Sequence, residues 1–305
     1  MEIDEKAIIR ETLAATREIV GPGLEEIRVE RAVIGLFFTG VKLENGSTGA
    51  CATPIKTIPE AVCCPSSAMA MPFPGKLSGR SAFDLAAEAL GENGIRRAAG
   101  IAAMNALADT CWRLRPHPET ELHLGIDAFD ATEILPGDSV VVIGAFVPFL
   151  RELKRQRQPF IVLEQDPATL KPDELPFFRP AEEAAAVVPE ADVLLITGTT
   201  LINDTLGSLL SLAKPTARVT MVGPTVSLLP DAFLRRGADI LGTVRIVDPD
   251  AFLDLLAEGG SGYHFLGRSA QKVALVRRSA VRTEMSGSDQ DLAEVTTRAA
   301  LVSAW

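Results

Sequence analysis

Aromatic residues make up only 5% of this 305-residue chain, with a single tyrosine and two tryptophans. So thin a supply argues against the stacking platforms that hold single-stranded nucleic acid. Positive charge is also short: 30 Lys and Arg stand against 40 Asp and Glu, a formal net charge of −10. A protein that grips a phosphate backbone carries the opposite balance, so no nucleic-acid partner is expected. Neither half hides a basic module, since residues 1–126 hold 13 basic and 16 acidic side chains and the remainder 17 and 24. Long apolar runs are missing too. Stretches such as Ser139–Leu150 fall well short of the ~20 residues of a membrane span and are broken by proline. The acidic N-terminus lacks the basic-then-apolar layout of a secretory signal. Four cysteines are too few for a disulfide scaffold. A soluble, cytoplasmic protein with reduced thiols and no membrane partner is the expectation.

What is there suffices for two domains, each with its own core. Residues 4–20 carry Ile8, Ile9, Leu13, Ile19 and Val20 at helical spacing, and Gly21-Pro22-Gly23 ends the pattern. Ile27–Thr53 is rich in β-formers and is interrupted by the turn Glu44-Asn45-Gly46-Ser47, which reads as a hairpin or meander. Residues 54–80 are loop-like, rich in Pro and Gly, and hold Cys63 and Cys64. Residues 81–112 are Ala- and Leu-rich helix, broken at Gly91–Gly94. The first region, 1–126, is therefore a smaller α+β domain.

From Asp127 the texture changes. Continuous apolar runs begin at Val140, Phe160, Asp192, Arg218 and Ile240, as strands buried on both faces require, and helical segments separate them. Alternation of this kind predicts an α/β domain over 127–278 with a doubly wound parallel sheet. Lys272–Arg277 supplies a last strand, and residues 279–305 read as a polar tail.

Open parallel sheets bind ligands beyond the carboxyl ends of their strands, where strand order reverses. The strand-end residues here are Gly144-Ala145-Phe146, Glu164-Gln165-Asp166, Thr197–Thr200 and Gly223-Pro224-Thr225. Glycine lets a ligand approach the backbone, and hydroxyls at a helix start can hold an anion. Threonine there also serves as an ordinary helix cap, and for any one residue that reading leads. The cluster Thr199, Thr200, Asn203 and Thr205 shifts the balance towards binding. Glu164 lies 20 residues beyond Gly144, where a ribose-binding acid belongs, yet one glycine replaces the three of the dinucleotide fingerprint. No Walker A sequence is present. Cys63 and Cys64 could offer soft thiolates to a transition or heavy metal ion, although adjacent cysteines suit a tetrahedral site poorly. Two buried thiols are the simpler account. His117, between two prolines, reads as a surface residue. Asn105 is a lone polar group on an Ala-rich helix face, so burial there would demand a partner.

The segments VVVIGAFVPFLREL (Val140–Leu153), DVLLITGTTLINDTL (Asp192–Leu206) and Val219–Gly242 resemble the DUF364 family, whose name ties it to heavy-metal chelation. Gly35–Ala52 and Ala98–Ala108 resemble its companion domain, DUF4213. The resemblance implies an enolase N-terminal-like domain followed by a Rossmann-like domain, with a ligand pocket between them. It carries over Asn105, Gly144, Phe146, Glu164, Thr200, Asn203, Thr205, Gly223 and Pro224 as site positions; Thr199 and Thr225 join them from the strand ends. The expected ligand is a small molecule or metal, with Thr199, Thr200, Asn203 and Thr205 holding an anionic group and Glu164 facing a ribose or amine. The alternatives are an S-adenosylmethionine-dependent, methyltransferase-like enzyme and direct metal binding by Cys63 and Cys64. Catalysis and assembly into a homo-oligomer stay open.

Overall fold

A computed structural model describes residues 3–57, 71 and 73–278. Cys63, Cys64 and the segment 279–305 lie outside the described residues. The first layer of the fold is helix α1 (Ala7–Val20), which buries Ile8, Ile9 and Leu13 along one face. Gly21, at φ +67°, ends it.

An antiparallel sheet follows, with β1 (Val29–Ile34), β2 (Phe38–Leu43) and β3 (Thr48–Ala52) in sequence order. Its β2–β3 turn closes through Gly46, at φ +81°, where a side chain would be strained. Helix α2 (Ala82–Ala87) packs against α3 (Gly94–Leu114), which covers this sheet. Asn93 starts α3 by accepting the amides of Ile95 and Arg96. The helix is buried almost all round, and its alanines let strand β3 come very close. A Cβ on Gly49 would stand 2.2 Å from the Ala106 nitrogen and 2.4 Å from the Ala102 carbonyl oxygen.

The second sheet has eight strands. They are β4 (Thr120–Leu124), β5 (Val140–Ile143), β6 (Phe160–Glu164), β7 (Phe178–Pro180), β8 (Val193–Thr197), β9 (Arg218–Val222), β10 (Ile240–Ile246) and β11 (Ala270–Arg277). Their spatial order is β4-β11-β10-β9-β8-β5-β6-β7, with β5 to β10 parallel and the β11 and β4 edge antiparallel. Numbered among themselves, the parallel strands run 3-2-1-4-5-6, the doubly wound order whose reversal falls between β5 and β8. Every residue of β5 is buried, as is Val193–Ile196 of β8. Helices α4 (Ala128–Ala131), α5 (Val147–Gln156), α6 (Ala184–Val187), α7 (Leu206–Leu212), α8 (Asp231–Leu234), α9 (Pro249–Ala257) and α10 (Gly262–Phe265) complete the fold.

Two strands escape the sequence reading. Strand β4 lies within the first 126 residues yet pairs with β11, from Val273↔Leu124 to Arg277↔Thr120. Short β7 lies on the opposite edge, with two of its three residues exposed. No helix among the described residues is long and apolar enough to cross a membrane.

Candidate functional site

The reversal between β5 and β8 opens into a cleft of about 260 Å³ at the carboxyl ends of the strands. It brings together Gly144, Glu164, Thr199, Thr200, Asn203 and Thr205, six of the positions singled out from the sequence. Gly144 sits at φ +90°, and a Cβ there would come within 2.7 Å of the Thr197 methyl group. Both the backbone and the neighbouring strand thus require glycine.

Glu164 ends β6 and turns its carboxylate inward. Oε2 accepts the Ala145 amide at 2.9 Å, while Oε1 accepts those of Gln165 at 2.7 Å and Asp166 at 3.2 Å. That acid therefore ties the turns after β5 and β6 together. After β8, Thr197 caps a short 3-10 turn at Gly198–Leu201, and the Thr200 hydroxyl donates to the Thr197 carbonyl at 2.8 Å. The capping account of these threonines holds for Thr197, whose hydroxyl accepts the Thr199 amide; Thr200 lies inside the turn. Asn203 and Thr205 stand further along the same wall, with Asp204 between them at φ +54°.

Two residues far away in sequence complete the wall. Arg97, on α3 and 3% exposed, donates to the Ile202 carbonyl at 2.6 Å and the Gly91 carbonyl at 2.9 Å, and pairs with Asp204 at 2.7 Å. Glu5 accepts the amides of Gly207 at 2.7 Å and Ser208 at 2.9 Å, together with the Ser208 hydroxyl. Its carboxylate fills the start of α7 from outside the sheet domain. Gln165, from the strand ends, lines the cleft as well; Glu5, Asp204 and Ser208 also line it but were not read from the sequence. Glu5 had no local signal, being 202 residues from Gly207. Asp204 lay unremarked inside a window already singled out.

The other expected site residues stand elsewhere. Asn105 is 2% exposed and lies where α3 meets the second sheet. Its Nδ2 donates to the carbonyls of Ala50 at 2.7 Å, Pro224 at 3.1 Å and Thr225 at 3.2 Å. These three acceptors fix the amide orientation, and leave Oδ1 buried without a protein partner. The Thr225 hydroxyl accepts the Ala52 amide at 3.0 Å. Asn105, Pro224 and Thr225 therefore stitch β3 to the turn after β9. A cavity of about 30 Å³ beside them, lined by Asp109, Ser227 and Thr243 among others, has the volume of one water molecule. Burial raises the Asp109 carboxyl above its ordinary range, against the nearby Arg113. Gly223 precedes this turn at φ +121°. Phe146 caps α5 and packs edge-on against Phe149, with ring centroids 4.7 Å apart.

Among the described residues no three His, Cys, Asp or Glu side chains form a metal-binding group. Cys51 and Cys111 are buried, and burial pushes both thiols up to about 12, so at neutral pH they are protonated and poor ligands. The described residues thus do not fit a metal centre. His117 is not a surface residue: its side chain is 8% exposed and its Nε2 lies 3.1 Å from Asp231. The proline-flanked linker folds back over Trp112, whose ring centroid lies 6.0 Å from that of His117.

Residues 127–275 match the DUF364 family and residues 17–108 match DUF4213, both described as "Putative heavy-metal chelation". The chain belongs to the DUF364 family. An uncharacterized protein of Methanocaldococcus jannaschii is 30% identical over 176 residues, 57% of this chain; the match spans 64% of that relative's length. A DUF364 protein of unknown function from Pyrococcus horikoshii superposes with a TM-score of 0.67 at 19% identity, covering 88% of this chain and all of its own. A second, from Desulfitobacterium hafniense, gives 0.61 at 20% identity, over 88% of this chain and 99% of that one. Both share the DUF4213–DUF364 protein's fold.

Proposed function

We propose that this DUF364 protein binds a small metabolite in the cleft between β5 and β8, and that its place in heavy-metal chelation is to handle a metal-binding metabolite. The observation that carries this reading is the position of the cleft. It lies where a Rossmann-like sheet reverses its strand order, and its wall is rich in hydroxyl, amide and carboxylate groups. The metal contacts then belong to the metabolite, in keeping with a chain whose described acids, thiols and imidazoles do not converge. At about 260 Å³ the cleft suits a compact molecule; drug-sized ligands occupy roughly 300–1,000 Å³. The DUF4213 domain contributes by holding the cleft wall through Arg97, and we place the protein in the cytoplasm.

S-adenosylmethionine is the competing ligand, favoured by Glu164 at the end of β6. Its ribose would share a carboxylate that already accepts three backbone amides. Native mass spectrometry of the protein purified from its own host tests the reading. A small metabolite is expected to co-purify with wild type and to be lost from an Asn203→Ala, Thr205→Val variant. Retention of that metabolite by the folded variant would refute the cleft as its site. An adenosylated cofactor in the spectrum would favour the competitor. Direct binding through Cys63 and Cys64 is tested separately by metal analysis of a Cys63→Ser, Cys64→Ser variant: unchanged metal content rules it out.

A further inference from the structure

We infer that the cleft recognises its ligand through amine or ammonium groups, and that phosphate and carboxylate groups are excluded from it. The inference rests on the cleft being the binding site and adds the class of ligand. An anion in such a cleft needs backbone N–H donors or a cationic side chain. Most of the backbone donors at its turns are already committed. The Ala145, Gln165 and Asp166 amides go to Glu164, and Phe146 donates to the Gly144 carbonyl at 2.9 Å. Beyond β8, the Asn203 amide goes to the Thr199 carbonyl and that of Thr205 to the Thr200 carbonyl. At the start of α7, Glu5 takes the Gly207 and Ser208 amides.

Charge points the same way. No Lys, Arg or His is among the described residues that line the cleft, and the cation behind its wall, Arg97, is buried and already paired with Asp204. Asp204 is offset by Arg97, and Glu5 and Glu164 leave the lining negative. A carboxylate offers about four lone-pair sites, so each of the three retains acceptor capacity after its internal bonds. The Thr199 and Thr200 hydroxyls donate to Thr197 and keep lone pairs of their own as acceptors. The lining is thus negative and rich in acceptors, its other side-chain donors being the neutral amides of Asn203 and Gln165 and the Thr205 hydroxyl. A ligand bearing N–H donors and positive charge complements it; an oxyanion meets like charge and no cationic donor.

Titration calorimetry on the full chain with 1,4-diaminobutane, spermidine, succinate and inorganic phosphate tests this. At least one amine is expected to bind at millimolar concentration or below, and neither anion. Asn203 is exposed on the rim, so Asn203→Asp adds negative charge there without disturbing the core. That variant should tighten amine binding about threefold, the size of an exposed charge pair, and Asn203→Lys should weaken it similarly. Anion binding that weakens in Asn203→Asp would overturn the ligand class while leaving the cleft as the site. Absence of amine binding to wild type would also overturn it. Amine binding unaffected by either Asn203 variant would move the amine elsewhere and refute the inference. Loss of a co-purified metabolite from the Asn203→Ala, Thr205→Val variant judges the cleft itself, independently of all these outcomes.

Discussion

Replacing Arg97 with methionine deletes a buried cation from behind the cleft wall while keeping most of its aliphatic volume. The guanidinium reaches the Gly91 and Ile202 carbonyls and Asp204 from a side chain that is only 4% exposed. Deleting one partner of a buried ion pair costs about 3–5 kcal/mol, because the other is left uncompensated. The Asp204 side chain is 26% exposed and can turn towards water, so the lower end, about 3 kcal/mol, applies. At roughly 2–4 °C per kcal/mol for chains of 150 residues or more, the thermal midpoint should fall by about 6–12 °C. The double variant Arg97→Met, Asp204→Asn removes the orphaned charge and should recover at least about 1 kcal/mol. Arg97→Lys keeps the charge but not the fork that reaches three acceptors, and should fall between the two. Urea unfolding of wild type, Arg97→Met, Asp204→Asn and the double variant closes the cycle, with Arg97→Lys measured beside them. A loss under about 1 kcal/mol in Arg97→Met, or no recovery in the double variant, would refute the clamp.

Three further outcomes follow from the geometry. Gly49→Ala places a methyl 2.2 Å from the Ala106 backbone nitrogen, where no flexible side chain can yield; a loss of about 3 kcal/mol or more in urea unfolding is expected, and a neutral result would show that α3 and β3 are further apart. The Glu11 carboxyl is held down to about 2, first by its hydrogen bond to Arg236 and then by that to Arg235, from an ordinary value of 4.5. Its folded pKa is depressed, so this link between α1 and the α8 region stabilises the protein fully above about pH 5. The contribution disappears as pH falls towards 2, and Glu11→Gln should flatten that part of the acid-unfolding profile. Cys51 and Cys111, protonated and buried, should react with a thiol reagent at pH 8 only after unfolding. Rapid labelling of either in the native protein would contradict their packing.

Sequence legibility divided along a physical line. Strands β5, β6, β8, β9 and β10 stood out because burial on both faces writes a continuous apolar run. Edge strands carry no such mark. In β4, Thr-Glu-Leu-His-Leu is half exposed, and β7 is Phe-Arg-Pro. Each gains its place from a neighbour distant in the chain. The same division governs the cleft. Gly144, Glu164 and Thr199–Thr205 were legible because they follow strand ends directly, and topology fixes where strand ends go. Phe146, Asn105, Pro224 and Thr225 also follow strands or sit on a conspicuous helix face, yet they pack a ring or stitch two layers together. Position in the fold selected them, but only the bonding partners separate a cleft residue from a seam residue.

Glu5 makes the consequence sharpest. Hydroxyls at the start of a helix, read alone, imply donors waiting for an anion, and that expectation is sound for an isolated strand–helix junction. Here the chain returns a carboxylate from 202 residues away to the Gly207 amide. One bonded acid therefore converts a donor-rich helix start into part of an acceptor-rich wall, and reverses the charge of the ligand that the wall complements. No pattern within Thr199–Ser208 could carry that information, because the decisive group is not in it. A Glu5→Gln variant isolates the point. It removes one negative charge from the lining and keeps an acceptor oxygen for one of the two α7 amides, which Glu5 takes with separate oxygens, so a cationic ligand should bind about threefold more weakly. Unchanged affinity for the amine would show that the Glu5 charge does not do the selecting.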